Sequence, residues 1–140
     1  MPNVNRVRNG GFEQSTPPSV GPFWTGSAGA VTETGGTQLL GGNNALLPSS
    51  GDFIEQPLLP LQVGEIYTFQ AAFATFASTG TIDVEIVGET TRLFQAVNVE
   101  GPDYGFYKFD FTASDAAAVL RITNSSNSFV RIDVVSVKIA

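Results

Sequence analysis

A chain of 140 residues and 14.8 kDa suits one domain with a hydrophobic core of its own. Only 14% of the residues are charged and 42% are hydrophobic, the reverse of a disordered segment; a net charge of −6 and a pI near 4.4 exclude a basic nucleic-acid-binding face. With no His and no Cys, the chain cannot hold a Cys/His zinc site, a thiol nucleophile, a Ser-His-Asp triad or a disulfide.

In chain order, the first candidate strand is Val4–Arg8, followed by the turn Asn9-Gly-Gly-Phe-Glu13. Gly10-Gly11 has no following helix or Lys and reads as a bulge or tight turn, not a phosphate cradle. Short candidates follow at Ala28–Thr34, Gln38–Leu40, Ala45–Leu47 and Asp52–Gln56. The alternation then strengthens. From Ile66 on, Tyr67, Phe69, Ala71 and Phe73 share one face; over Thr81–Val87, Ile82, Val84 and Ile86 oppose Asp83 and Glu85. Leu93–Val99 is weaker. Tyr107, Phe109 and Phe111 alternate with Lys108, Asp110 and Thr112, and Leu120 and Ile122 with Arg121 and Thr123. A long strand over Phe129–Ile139 ends the chain. The one Ala-rich stretch, Ser114–Ala118, is too short for more than a helical turn.

The separators are turn residues: Gly35-Gly36, Gly41 to Asn44, Pro48 to Gly51, Ser78 to Gly80, Gly88-Glu89, Gly101 to Asp103, and Asn124 to Ser128, the last expected as a hairpin loop. Strands at this spacing predict an all-β domain over residues 1–140, an antiparallel β-sandwich or barrel, with no linker and no repeat. No apolar run approaches a membrane span, and the N-terminus has no apolar core of a secretory signal.

Some faces that should be wet are apolar. Ile66, Ala72, Ala74 and Phe76 lie opposite the Tyr67 face; Val130, Ile132 and Val134 lie opposite the Val135–Val137 face; Phe106 lies opposite Tyr107. Either a further layer of the same chain or a partner subunit must cover them, unless a bulge reverses the alternation. The low charge favours a partner. Ile66, Phe76, Phe106, Val130 and Ile132 are thus the predicted interface of a homo-oligomer. Counting back from Val135, Val137 and Ile139 also puts Asp133 on the core face, where a carboxylate needs a partner or a cation. Asp83 and Glu85 could in principle serve glycoside hydrolysis but read as an ordinary solvent-facing stripe, so no catalysis is expected.

The order Asn9-Gly-Gly-Phe-Glu13, Trp24, Val63-Gly-Glu-Ile-Tyr67, Tyr107-Lys-Phe-Asp-Phe-Thr112 and Ile132-Asp-Val-Val-Ser-Val137 resembles the carbohydrate-binding-module jelly roll of the galactose-binding-domain-like group. The opening Asn5-Arg-Val-Arg-Asn-Gly-Gly-Phe-Glu13 is also similar to small domains preceding collagen-like triple-helix repeats in surface proteins of spore-forming Firmicutes. The resemblance implies a jelly-roll sandwich. It implies a structural Ca2+ held by Glu13 and Asp133 with backbone carbonyls, although Val134 stands where the pattern has a second Asp. The residues alone leave open that the two carboxylates pair with Arg6, Arg8 or Arg131, or cap loops. The leading expectation is a non-enzymatic, self-associating domain at a cell or spore surface, trimeric by analogy with collagen-like neighbours. The alternative is a carbohydrate-binding module whose glycan stacks on Trp24 and Tyr104. Of the aromatic residues, 11 are Phe against 3 Tyr and 1 Trp, which weighs against a sugar platform and for burial.

Overall fold

The computed structural model describes residues 4–35, 38–75, 79–87, 90–97 and 104–140. Ten strands appear and, among the described residues, no helix: β1 (Thr25–Gly26), β2 (Val31–Glu33), β3 (Asn44–Leu47), β4 (Phe53–Pro57), β5 (Ile66–Thr75), β6 (Thr79–Ile86), β7 (Thr90–Val97), β8 (Gly105–Thr112), β9 (Val119–Asn124) and β10 (Val130–Ile139). They form two antiparallel five-stranded sheets, ordered β1-β4-β9-β6-β7 and β2-β3-β10-β5-β8. The architecture is the expected jelly-roll sandwich. No helix of the described residues is long and apolar enough to cross a membrane.

The core lies between the sheets and is made by the predicted alternations. Tyr67, Phe69, Ala71 and Phe73 from one sheet meet Ile82, Val84, Ile86, Leu120 and Ile122 from the other, all fully buried. Register carries the aromatic stripe across β5 and β8: Tyr67 pairs with Phe111 and Phe69 with Phe109, and both ring pairs stack. Such cross-strand aromatic pairs stabilise a sheet beyond the area they bury.

Three expected elements differ, the first being Gln38–Leu40, which is loop and not strand. The Val4–Arg8 segment is not a strand, because side-chain amides stand in for a ladder. Gln56 Oε1 accepts from Arg8 N and Gln56 Nε2 donates to Arg8 O, each at 2.9 Å; Asn5 Oδ1 accepts from the backbone N of Val7 and Val137. The Asn124–Ser128 segment is not a hairpin: β9 and β10 belong to different sheets, so it crosses the sandwich. Buried Asn124 shapes the crossing, donating to Leu47 O and Ser128 O and accepting from the N and Oγ of Ser126.

The last strand overturns the parity on which the interface and the Asp133 placement rested. Asp133 pairs with Ala72 and Ser136 with Gln70, so Val134 and Val135 together oppose Ala71. This β-bulge, with Val134 at φ 47°, reverses the alternation. Val130 and Ile132 therefore point into the core, both 0% exposed, beside Val135 and Val137. They are core residues and not an interface. Asp133 faces outward from the sandwich, away from the core, and is buried there by another part of the chain. Leu39 N and Leu40 N both donate to Asp133 Oδ2, so the loop before β3 folds over this end of the outer face. Ala72 and Ala74, buried at the same end, are covered within the chain and need no partner subunit. Ile66 and Phe106 are exposed, and Phe76 lies outside the described residues.

Candidate functional site

The two terminal signatures meet in one structural knot. Asn9 is buried at φ 54°; its Oδ1 accepts from Gln14 N and its Nδ2 donates to Ser15 Oγ and Pro22 O. Gly10 O accepts from Val135 N, and a Cβ on Gly10 would sit 2.1 Å from the Val135 carbonyl oxygen, so only glycine fits against the bulge. Phe12 enters the core and stacks on Trp24, with ring centroids 5.4 Å apart. Trp24 is 2% exposed and its Nε1 donates to Asn9 O at 2.9 Å. A ring packed and bonded in this way cannot stack on a glycan, so Trp24 leaves the set of ligand-binding candidates.

Glu13 and Asp133 do converge, on the loop 39–43. Glu13 Oε1 accepts from Gly42 N at 2.8 Å and Oε2 from Asn43 N at 2.9 Å. Asp133 Oδ2 accepts from Leu39 N and Leu40 N, and Oδ1 from Val134 N at 2.9 Å. Gly41 sits between them at φ 69°, where a Cβ would strike the Glu13 carboxylate. Burial raises the Asp133 pKa from 3.8 to about 6; the three amides oppose this and the nearby Glu13 carboxylate adds to it.

This donor set does not fit a calcium ion. Ca2+ takes six to eight oxygens, whereas the carboxylate oxygens here face five backbone N–H groups. The neighbouring carbonyls of Phe12 and Ser15 already accept from Asn43 Nδ2. Among the described residues no group of three or more acidic side chains comes together. The arginines are engaged elsewhere: Arg131 with Glu33, and Arg6 and Arg8 with the carbonyls of Pro60 and Pro57. Of the readings open for Glu13 and Asp133, the geometry is that of loop caps.

Tyr104, at the entry to β8, is half-buried beside this clamp. Burial, then the Asp133 carboxylate, push its phenol well above the ordinary value of 10.0; Arg131 opposes and Glu33 adds to the rise. It is less free than an exposed loop ring, yet it borders the open face of the second sheet.

That open face holds the arrangement most suited to a ligand. Its outer side chains come from β5 (Ile66, Thr68, Gln70), β8 (Phe106, Lys108, Asp110, Thr112) and β10 (Ser136, Lys138). Phe106 is 60% exposed and, with Gln70, Tyr107 and Lys108, lines a depression of about 230 Å³. A second hollow, lined by Thr68, Lys108, Phe109, Asp110 and Ala140, adjoins it at Lys108. Thr68 Oγ1 donates to Asp110 Oδ1 at 2.7 Å, which orders one side. A flat ring beside an amide, an ammonium and a hydroxyl can stack on an apolar ring face while bonding to hydroxyl groups at its rim. In the sequence Phe106 reads as an oligomer contact, and Gln70 and Lys108 read as ordinary outward polar positions. The available signal was a lone aromatic on the otherwise polar side of the Tyr107–Phe111 strand.

No protein-family model matches the chain, and no curated protein matches it. Solved structures do. A carbohydrate-binding module (CBM6cm-2) of Cellvibrio mixtus lichenase 5A, in complex with cellotriose, superposes with a TM-score of 0.66 at 14% identity, over 100% of this chain and 99% of that one. The fold is the carbohydrate-binding-module jelly roll. A family 35 carbohydrate-binding module from Clostridium thermocellum matches with a TM-score of 0.69 at 15% identity, over 84% of this chain and 92% of the module. The enzymatically active domain of tailspike protein 4 of bacteriophage CBA120 also matches, with a TM-score of 0.69 at 15% identity, over 98% of this chain but only 22% of that one. At such identities the likeness is one of fold.

Proposed function

We propose that this domain is a non-catalytic carbohydrate-binding module whose glycan lies across β5 and β8 on the open face of the second sheet. The observation that carries this reading is Phe106: a large ring 60% exposed beside Gln70 and Lys108, on a face with no covering layer among the described residues. Isolated apolar side chains on a surface are common, but here the ring borders a depression with polar groups converging on it. Likeness in fold to modules such as the one solved with cellotriose supports the reading. A non-catalytic role accords with the placement of Asp83 and Glu85, which stand on the outer face of the other sheet opposite Thr123 and Arg121.

Affinity electrophoresis and titration calorimetry against soluble β-glucans, galactans and xylans test the proposal. Phe106→Ala should weaken binding by at least about tenfold, the loss expected of a central aromatic contact. Its melting temperature should stay close to that of the parent, as for most exposed substitutions. Undiminished binding by the folded variant would remove the site from this face.

A further inference from the structure

Building on the glycan reading of this face, we infer that its ligand is an acidic polysaccharide, a largely neutral sugar backbone carrying spaced uronic acid carboxylates. The chain bears a net charge of −6 and has only two lysines, and both stand on this face. They occupy neighbouring rungs of the sheet. Ser136, Gln70 and Lys108 align across β10, β5 and β8 on one rung, and Lys138, Thr68 and Asp110 on the next. Two strand spacings and one two-residue step put the lysine backbones roughly 12 Å apart, diagonally across Gln70 and Thr68.

Among the described side chains the four arginines are engaged. Arg121 pairs with Glu55 and Arg131 with Glu33, while Arg6 and Arg8 donate to backbone carbonyls and lie over aromatic rings. Among the described residues neither lysine has an ion-pair partner, and both are exposed. Asp110, the exposed acid among the described β5, β8 and β10 side chains of this face, is bonded by the Thr68 hydroxyl, while Asp133 on the Phe106 rung is buried under the loop amides. An acidic protein repels an anionic polymer at long range, so local positive charge is what would admit one. One ammonium next to the aromatic ring, that of Lys108, and a second further along the same face, that of Lys138, match spaced carboxylates on a stacking backbone. A densely sulfated chain would meet Asp110 and the overall negative field with only two cations to offset them.

The test compares glucuronoxylan with the same polymer after carboxyl reduction, by affinity electrophoresis at low and high salt, with polygalacturonate, alginate, a sulfated galactan and the neutral panel alongside. The expected result is tighter binding of a carboxylated polymer than of its reduced form. Lys108→Gln and Lys138→Gln should each lower that preference about threefold at low ionic strength, in the range of exposed charge pairs. Salt should erase it, and Phe106→Ala should abolish binding of both forms. Equal binding of acidic and reduced polymers, indifferent to both lysine variants, overturns the acidic assignment and leaves the glycan site standing. Preference for the sulfated galactan overturns the carboxylate assignment. Failure of every neutral and acidic glycan to bind the folded protein overturns both readings.

Discussion

The indole of Trp24 stacks on Phe12 and donates its N–H to Asn9 O inside the sandwich, so its loss removes packing and one of the two hydrogen bonds to that carbonyl, the other coming from Phe12 N. Trp24→Ala should destabilise the domain by about 3–5 kcal/mol in urea unfolding; a loss below about 1 kcal/mol would mean the ring is peripheral. Asp133 acts through its proton. Its pKa of about 6 lies above the unfolded value of 3.8, because burial disfavours the carboxylate. The native state therefore holds this proton more tightly than the unfolded chain. The contribution of Asp133 to stability is greatest below about pH 4, falls as pH rises to about 6, and is level above. The melting temperature of the parent, measured relative to Asp133→Asn, should decline across that window. A constant difference from pH 4 to pH 7 would show that Asp133 titrates normally.

The bulge in β10 and the loop 39–43 work as one device. The bulge sends Val135 and Val137 inward and leaves Asp133 outward, where it takes two amides of the loop; Glu13 takes two more from the other end. Amides so arranged satisfy carboxylates that would otherwise repel each other, and a cation is not needed for the purpose. Excess chelator should accordingly leave the melting temperature unchanged. A ligand bound only by the native state stabilises it by mass action, so a drop on chelation would reveal a divalent ion in the clamp.

With Val130 and Ile132 in the core and Ala72 and Ala74 buried within the chain, the outward apolar surface expected to join subunits shrinks to Ile66 and Phe106 among the described residues. A stable interface buries about 800 Å² per partner, far more than two side chains supply. Light scattering on a sizing column should give a mass near 14.8 kDa at micromolar concentration; a mass three times larger would restore the trimeric arrangement.

The sequence by itself determined an antiparallel all-β domain, sandwich or barrel, and the resemblance of its motifs to a jelly roll selected the sandwich. Period-two alternation over Tyr67–Phe73, Ile82–Ile86, Tyr107–Phe111 and Leu120–Ile122 needs no long-range information, because each strand buries the same face along its whole length. It also named Glu13 and Asp133 as neighbours, through the terminal motifs that the fold brings together. The tertiary structure alone decided three things. One was the bulge at Val134, invisible in the alternation because a single extra residue reverses every side chain before it. Another was which donors meet the two carboxylates, since backbone amides carry no sequence signature. The last was which aromatic stays outside. In the sequence Trp24 reads as a stacking ring and Phe106 as a subunit contact; the fold buries Trp24 against Phe12 and Asn9 and leaves Phe106 60% exposed.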